Sequence, residues 1–174
     1  MDPTTPQPKS LALAAILGAA AGALCHWVLP PASFPILISL LCVAVGLVNL
    51  KPPYLIPNEL TLFGLTAGLV RPVDQLPWAL AGLLACWVWF WLLERIGQIG
   101  RGCTKWAAVL GLLLNWPLGL LNCLLAFLLG TLLAIPLLLL QRDARTPLPF
   151  GIFLSVAGVA TTWGGPAFLR WLDI

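Results

Sequence analysis

An all-α bundle of about six membrane-crossing helices, one of them short, is the fold this sequence predicts, and three observations predict it. Hydrophobic residues make up 60% of the chain and charged residues 9%, against a soluble balance of about half apolar and a quarter charged. The mean hydropathy is +0.99. Prolines, glycines and the few charged residues cut the chain into apolar runs of about the length a hydrocarbon core requires. Nine Lys and Arg with six Asp and Glu are too few to cover a soluble surface. The expectation is a polar tail at residues 1–10 and one membrane domain over 11–174.

The elements follow in order. Leu11 to Leu29 gives about 28 Å of helix at 1.5 Å per residue, enough for a crossing. This apolar run is longer than a signal-peptide core of about 7 to 15 residues, so an uncleaved span is expected. Pro30-Pro31 breaks the chain, and Phe34 to Val48 forms a second span ending at Asn49, Lys51 and Pro52-Pro53. Asn58 to Val70 spans only about 20 Å, the short helix, expected to sit among others rather than against lipid. Pro72, Asp74 and Pro77 start a span from Leu76 to Leu93, with Trp78 near one end and Trp87, Trp89 and Trp91 towards the other. Trp106 to Leu140 would be about 52 Å if continuous. Asn115-Trp116-Pro117 therefore divides it into a short helix and a span from Leu118. Arg142, Asp143 and Arg145 form a polar loop before the last span, Phe150 to Phe168.

Six crossings place Lys9, Lys51, Arg95, Arg101, Lys105 and Arg170 on one side and Arg71, Arg142 and Arg145 on the other. The excess marks the first side, with the N-terminus, as cytoplasmic. The net charge of +3 is scattered over loops without a dense basic run, which argues against nucleic acid and for the lipid bilayer as partner. Cys25, Cys42, Cys86, Cys103 and Cys123 are odd in number and include no C-x-x-C pair, which argues against a disulfide framework or a zinc site. Neither a metal nor a cofactor is expected. A transporter is disfavoured because His26 is the sole ionisable residue arguably within a span. Near Trp27 in the first span, His26 is expected to take an interfacial or helix-packing role.

Three ordered segments carry a resemblance. The first is Asn49-Leu50-Lys51-Pro52-Pro53-Tyr54-Leu55-Ile56-Pro57-Asn58-Glu59-Leu60-Thr61-Leu62, followed by Gly64 and Gly68. The second is Gly100-Arg101-Gly102-Cys103-Thr104-Lys105 with Ala108 and Gly111. The third is Leu148-Pro149-Phe150-Gly151, running through Phe153 and Leu154 to Gly158. Together they resemble the membrane domain of type IV prepilin peptidases, with patterns D-L-K…I-P-N-x-L-T-L, G-x-G-D-x-K-L and P-F-G-P-F-L-A-L-G. Ile152 stands where the last has its second proline. The likeness is to the small, methyltransferase-less form, since paired C-x-x-C motifs are absent.

The resemblance implies an aspartic-type endopeptidase of the bacterial plasma (inner) membrane that removes pilin leader peptides. Two carboxylates would share a proton there, one activating water and the other polarising the scissile amide. This chain departs from the pattern at both positions. Asn49 stands at the first, or Leu50 if the count runs back from Pro57, and Cys103 at the second. The expectation is a family member without aspartyl proteolysis that still binds pilin-like leader helices. The motif residues expected to matter for binding are Pro57, Asn58, Gly100, Gly102, Lys105, Pro149, Phe150 and Gly151. Gly100 and Gly102 would permit a tight turn and close approach, and Lys105 would anchor the interface or meet carbonyls or phosphates. Glu59 and Glu94 are the acids nearest the motifs. Glu59 reads as a helix-start carboxylate and Glu94 as a charge ending a span, paired with Arg95 or set at the interface. The alternatives are an active endopeptidase of altered mechanism, using Cys103 as nucleophile or Glu59 as a recruited acid, and an accessory subunit of a membrane complex. His26 is the one histidine that could serve Cys103 as base. Asn49 and Asn122, if buried, are expected to hydrogen-bond between helices.

Overall fold

The computed structural model describes residues 8–30, 32–50, 55–96, 99–141 and 150–173. Among them there is no strand, and seven α-helices follow one another: α1 (Pro8–Ala23), α2 (Ser33–Asn49), α3 (Asn58–Leu69), α4 (Leu76–Arg95), α5 (Arg101–Leu114), α6 (Leu118–Gln141) and α7 (Phe150–Trp171). A π-helical turn, Leu24–Val28, extends α1. The all-α bundle read from the sequence is borne out. Four segments are long and apolar enough to cross a membrane, Lys9–Val28, Leu76–Arg95, Leu118–Pro136 and Phe150–Trp171, and the apolar Ser33–Asn49 is shorter. Leu124, Leu128 and Leu132, spaced by one helical turn, are about two-thirds exposed, an apolar stripe suited to a lipid surround.

Local chemistry sets the boundaries. Pro77 occupies the first turn of α4, where its missing N–H has no helical partner to lose. Asn115, with φ 67 and ψ 170, leaves helical geometry altogether and so ends α5. The break expected at Asn115-Trp116-Pro117 therefore separates α5 from α6. The short helix expected at Asn58 to Val70 is α3.

The helices alternate in direction. Asn49 of α2 faces Gly151 of α7, and Cys42 faces Gly158, so those two run antiparallel. Glu94 of α4 meets Thr104 of α5 while Trp78 accepts from the backbone of Trp116, another antiparallel pair. Cys86 and Phe90 of α4 meet Cys123 and Phe127 of α6 in the same order, so these run parallel. One end of the bundle, the motif end, thus gathers the starts of α1, α3, α5 and α7 and the ends of α2 and α4. The far end gathers Phe34, Arg71, Asn115 and Leu118.

α5 traverses the bundle by itself, and this changes the sidedness read from the sequence. Its 14 residues give about 21 Å, and Thr104 with every residue from Trp106 to Leu114 is buried. A helix apolar all round belongs in a core. Because α5 counts as a pass, α7 ends at the far end: Gly165 packs on Leu118 and Leu121. Arg170 therefore lies with Arg71. The connection carrying Arg142 and Arg145, itself outside the described residues, joins helices that meet at the motif end.

Small residues let the core close. A Cβ on Gly82 of α4 would overlap the Gly111 carbonyl of α5, and one on Gly119 of α6 would lie 2.9 Å from Gly111 Cα. Three backbones meet there, the approach that small residues permit between membrane helices.

Candidate functional site

The motif end brings the three sequence segments together. Asn49 is 1% exposed at the last turn of α2, whereas Leu50 is 57% exposed. The side chain at 49, not that at 50, is the one facing inwards. A Cβ on Gly151, in the first turn of α7, would lie 2.7 Å from Asn49 Oδ1 and 3.1 Å from Ile56 Cδ1. The Gly151 backbone N–H lies near enough to Cys103 to favour its ionised form. Asn49 and Cys103 thus meet across one glycine, and only a residue without a side chain fits between them.

Cys103 lies in the first turn of α5 among Arg101, Thr104 and Lys105, outside the four long apolar spans. Burial pushes its thiol up to about 11, against the smaller opposing effect of the Gly151 N–H. The neutral thiol is therefore favoured over the thiolate. His26 does not remedy this. It sits in the π-helical turn with its ring 4.1 Å from that of Phe34, and Phe34 lies under Arg71 at the far end.

The acids near the motifs have partners. Glu94 accepts from Thr104 Oγ1 at 2.8 Å and pairs with Arg101 Nε at 3.3 Å. The expected Glu94 to Arg95 pairing is thereby replaced, and Arg95 instead lies 4.8 Å over the Trp91 ring. A side chain at a helix end points along its own face, and the α5 start is closer to that face than the next residue in sequence. Glu59 accepts from Ser10 Oγ at 3.1 Å. Asn58 accepts at Oδ1 from Lys105 Nζ at 3.1 Å, joining the first two motifs, and Pro57 caps α3 in an extended conformation.

Gly100 takes φ −76 and nothing lies within 4 Å of a Cβ built on it; Gly102 faces Ile56 at an ordinary 3.6 Å. The Gly100 carbonyl accepts from the Cys103 and Thr104 backbone as α5 begins, and the close backbone approach falls at Gly151. Phe150 joins a ring cluster with Phe90, Phe127 and Phe153. Pro149 and residues 51–54 of the first segment lie outside the described residues. Among the described residues no group of three or more His, Cys, Asp or Glu is placed to hold a metal.

The sequence model of the type IV leader peptidase family matches residues 36–135, more than half of the chain. The chain belongs to the type IV leader peptidase family. The prepilin leader peptidase/N-methyltransferase of Aeromonas hydrophila is 34% identical over 149 residues, covering 78% of this chain and 51% of that protein. The protein of the same name from Pseudomonas aeruginosa is 38% identical over 107 residues, covering 59% of this chain and 36% of its own length. That from Xanthomonas campestris is 31% identical over 148 residues, covering 74% and 49%. The chain spans about half the length of the curated relatives it matches, or less. No solved structure matches it. With its four long apolar helices, this member of the leader peptidase family is a multi-pass membrane protein.

The family match ends before the third segment, which the fold brings back to the first two through α7. Sequence reasoning missed two contacts that fix this end. Trp106, fully buried, donates from Nε1 to Ser155 Oγ at 3.2 Å, tying α5 to α7. Thr104 ties α5 to α4 through Glu94. A buried tryptophan needs a partner for its N–H, and that requirement was the one available signal. Asn122, expected to bond between helices, is fully buried, yet among the described residues neither of its amide atoms meets a partner.

Proposed function

We propose that this member of the family has lost aspartyl proteolysis while its motif end still receives pilin-type leader helices. The observation that carries the reading is the meeting of Asn49 and Cys103 across Gly151, the two positions at which the resemblance calls for aspartate. Aspartyl chemistry needs one ionised and one protonated carboxyl close enough to share a proton. An amide has no basic form to activate water, and a buried thiol with a pKa of about 11 is neither the base nor a ready nucleophile. Glu59 and Glu94 are engaged at the edge of this end, which disfavours either as a recruited acid.

The proposal includes the orientation. Among the described residues Lys9, Arg95, Arg101 and Lys105 lie at the motif end, against Arg71 and Arg170 at the far end, and such a bias supports a cytoplasmic motif end and N-terminus in the bacterial plasma membrane.

The test is a leader-peptide cleavage assay in nanodiscs. The protein with its own sequence is expected to leave the peptide intact, and the Asn49→Asp/Cys103→Asp variant to cut it. In that variant the Gly151 N–H favours ionisation at position 103, and the resulting charge holds the proton at 49. Cleavage by the unaltered protein that disappears in Cys103→Ala would overturn the proposal in favour of the altered-mechanism enzyme. If neither form cuts or binds the peptide, an accessory role in a membrane complex takes its place.

A further inference from the structure

Beside the motif end a groove of about 390 Å³ opens between α1 and α4. Leu11 stands on one wall and Leu83 with Trp87 on the other, and the buried Ala108 and Val109 of α5 form the floor. The polar head of this apolar channel is at one end, where Asn58 and Lys105 line it. We propose that the groove holds one acyl chain of an anionic phospholipid, with its headgroup on Lys105 and Asn58. The inference does not rest on the proposed loss of proteolysis.

Charge selects the headgroup. Among the described acids of this end, Glu94 is taken by Arg101 and Thr104 and Glu59 by Ser10. The bond recorded for Lys105 is to a neutral oxygen, Asn58 Oδ1. An ammonium has three donors and no acceptor, so further N–H groups are available for phosphate oxygens. With Oδ1 accepting from the lysine, the Asn58 amide nitrogen is left as a donor to the same headgroup.

Size selects the tail. The groove runs along α3 from Asn58 to Leu65, about 10 Å of helix rise. A single extended acyl chain is slim enough to lie along that length, and the apolar lining offers its methylenes van der Waals partners. The opening faces sideways between two apolar helices, where the surrounding solvent of a multi-pass protein is lipid.

Native mass spectrometry of the full chain in detergent, titrated with phosphatidylglycerol or with phosphatidylcholine of the same acyl chains, tests this. Saturable binding of one phosphatidylglycerol is expected, about fivefold tighter than phosphatidylcholine, the preference one lysine near a lipid headgroup supplies. Lys105→Gln should abolish that preference. Ala108→Phe should weaken both lipids by filling the floor, and Leu11→Trp, on the wall and away from the core, reads the same effect should the first variant fail to fold. Lys9→Gln carries the same charge change at the same end and should leave the preference intact. The proposal is overturned if Lys9→Gln acts as Lys105→Gln does, if no saturable phosphatidylglycerol site is seen, or if a stoichiometric pilin-type leader peptide displaces the lipid.

Discussion

The two ends of the bundle solve opposite problems. At the far end Arg71 is 6% exposed and carries a full charge. Its Nε donates to the Gly68 carbonyl at 2.8 Å, one terminal nitrogen to Asn115 Oδ1, and the other to the Leu113 carbonyl at 3.5 Å. The Phe34 ring lies 5.3 Å from the guanidinium carbon. Burial lowers its pKa to about 10, so it stays charged at neutral pH. No carboxylate is among these partners. A buried cation is costly unless its donors are matched, and here carbonyl oxygens on α3 and at the end of α5 match them. The motif end has the reverse character. Its two central side chains, Asn49 and Cys103, carry no carboxylate, and it closes by contact across Gly151 rather than by charge. The far end therefore holds its helices through a hydrogen-bonded cation, and the motif end through close approach at a glycine.

The contrast breaks most severely at Arg71. Arg71→Met should cost about 3 kcal/mol, the scale of one or two charge-assisted hydrogen bonds, read as a lowered midpoint in detergent unfolding. Arg71→Lys should restore only part, because an ammonium cannot reproduce the planar fork. Full stability in Arg71→Met would mean the cluster holds nothing. Next in size is Gly151→Ala. The added Cβ would press on Asn49 and Ile56 and should cost about 2 kcal/mol as overpacking, with most of the loss recovered when Asn49→Ala is combined with it. If the two losses simply add, the sites are not in contact. The smallest effect sharpens the comparison from within the core. Asn122→Leu removes a buried amide that meets no partner among the described residues and should raise stability by about 1 kcal/mol. A loss instead would show the amide to be engaged.

Much of the architecture could be read before any coordinate. The break at Asn115 to Pro117, the short α3 and the apolar runs all follow from residue chemistry that acts locally. The readings that changed depend on contacts distant in sequence. Arg71 read as a loop charge because nothing nearby pairs with it, and its partner Asn115 is 44 residues away. Arg170 changed sides because α5 read as a fragment of a longer span, when its buried surface makes it a complete pass. Asn49 could not be separated from Leu50 by counting residues, since a one-residue loop difference has no local signature. Helix phase separates them, because α2 turns position 49 inwards and position 50 out.

The glycine seam between α4 and α5 bears on how the chain reaches its membrane. α5 is too short to hold a place across a bilayer unaided, and its polar start carries Arg101 and Lys105. It becomes stable only once Gly111 lies against Gly82. The α4–α5 hairpin, rather than a single helix, is therefore the unit expected to settle in the membrane. A bulky residue at either glycine, by parting these two backbones, is expected to lower the amount of folded protein before it alters binding.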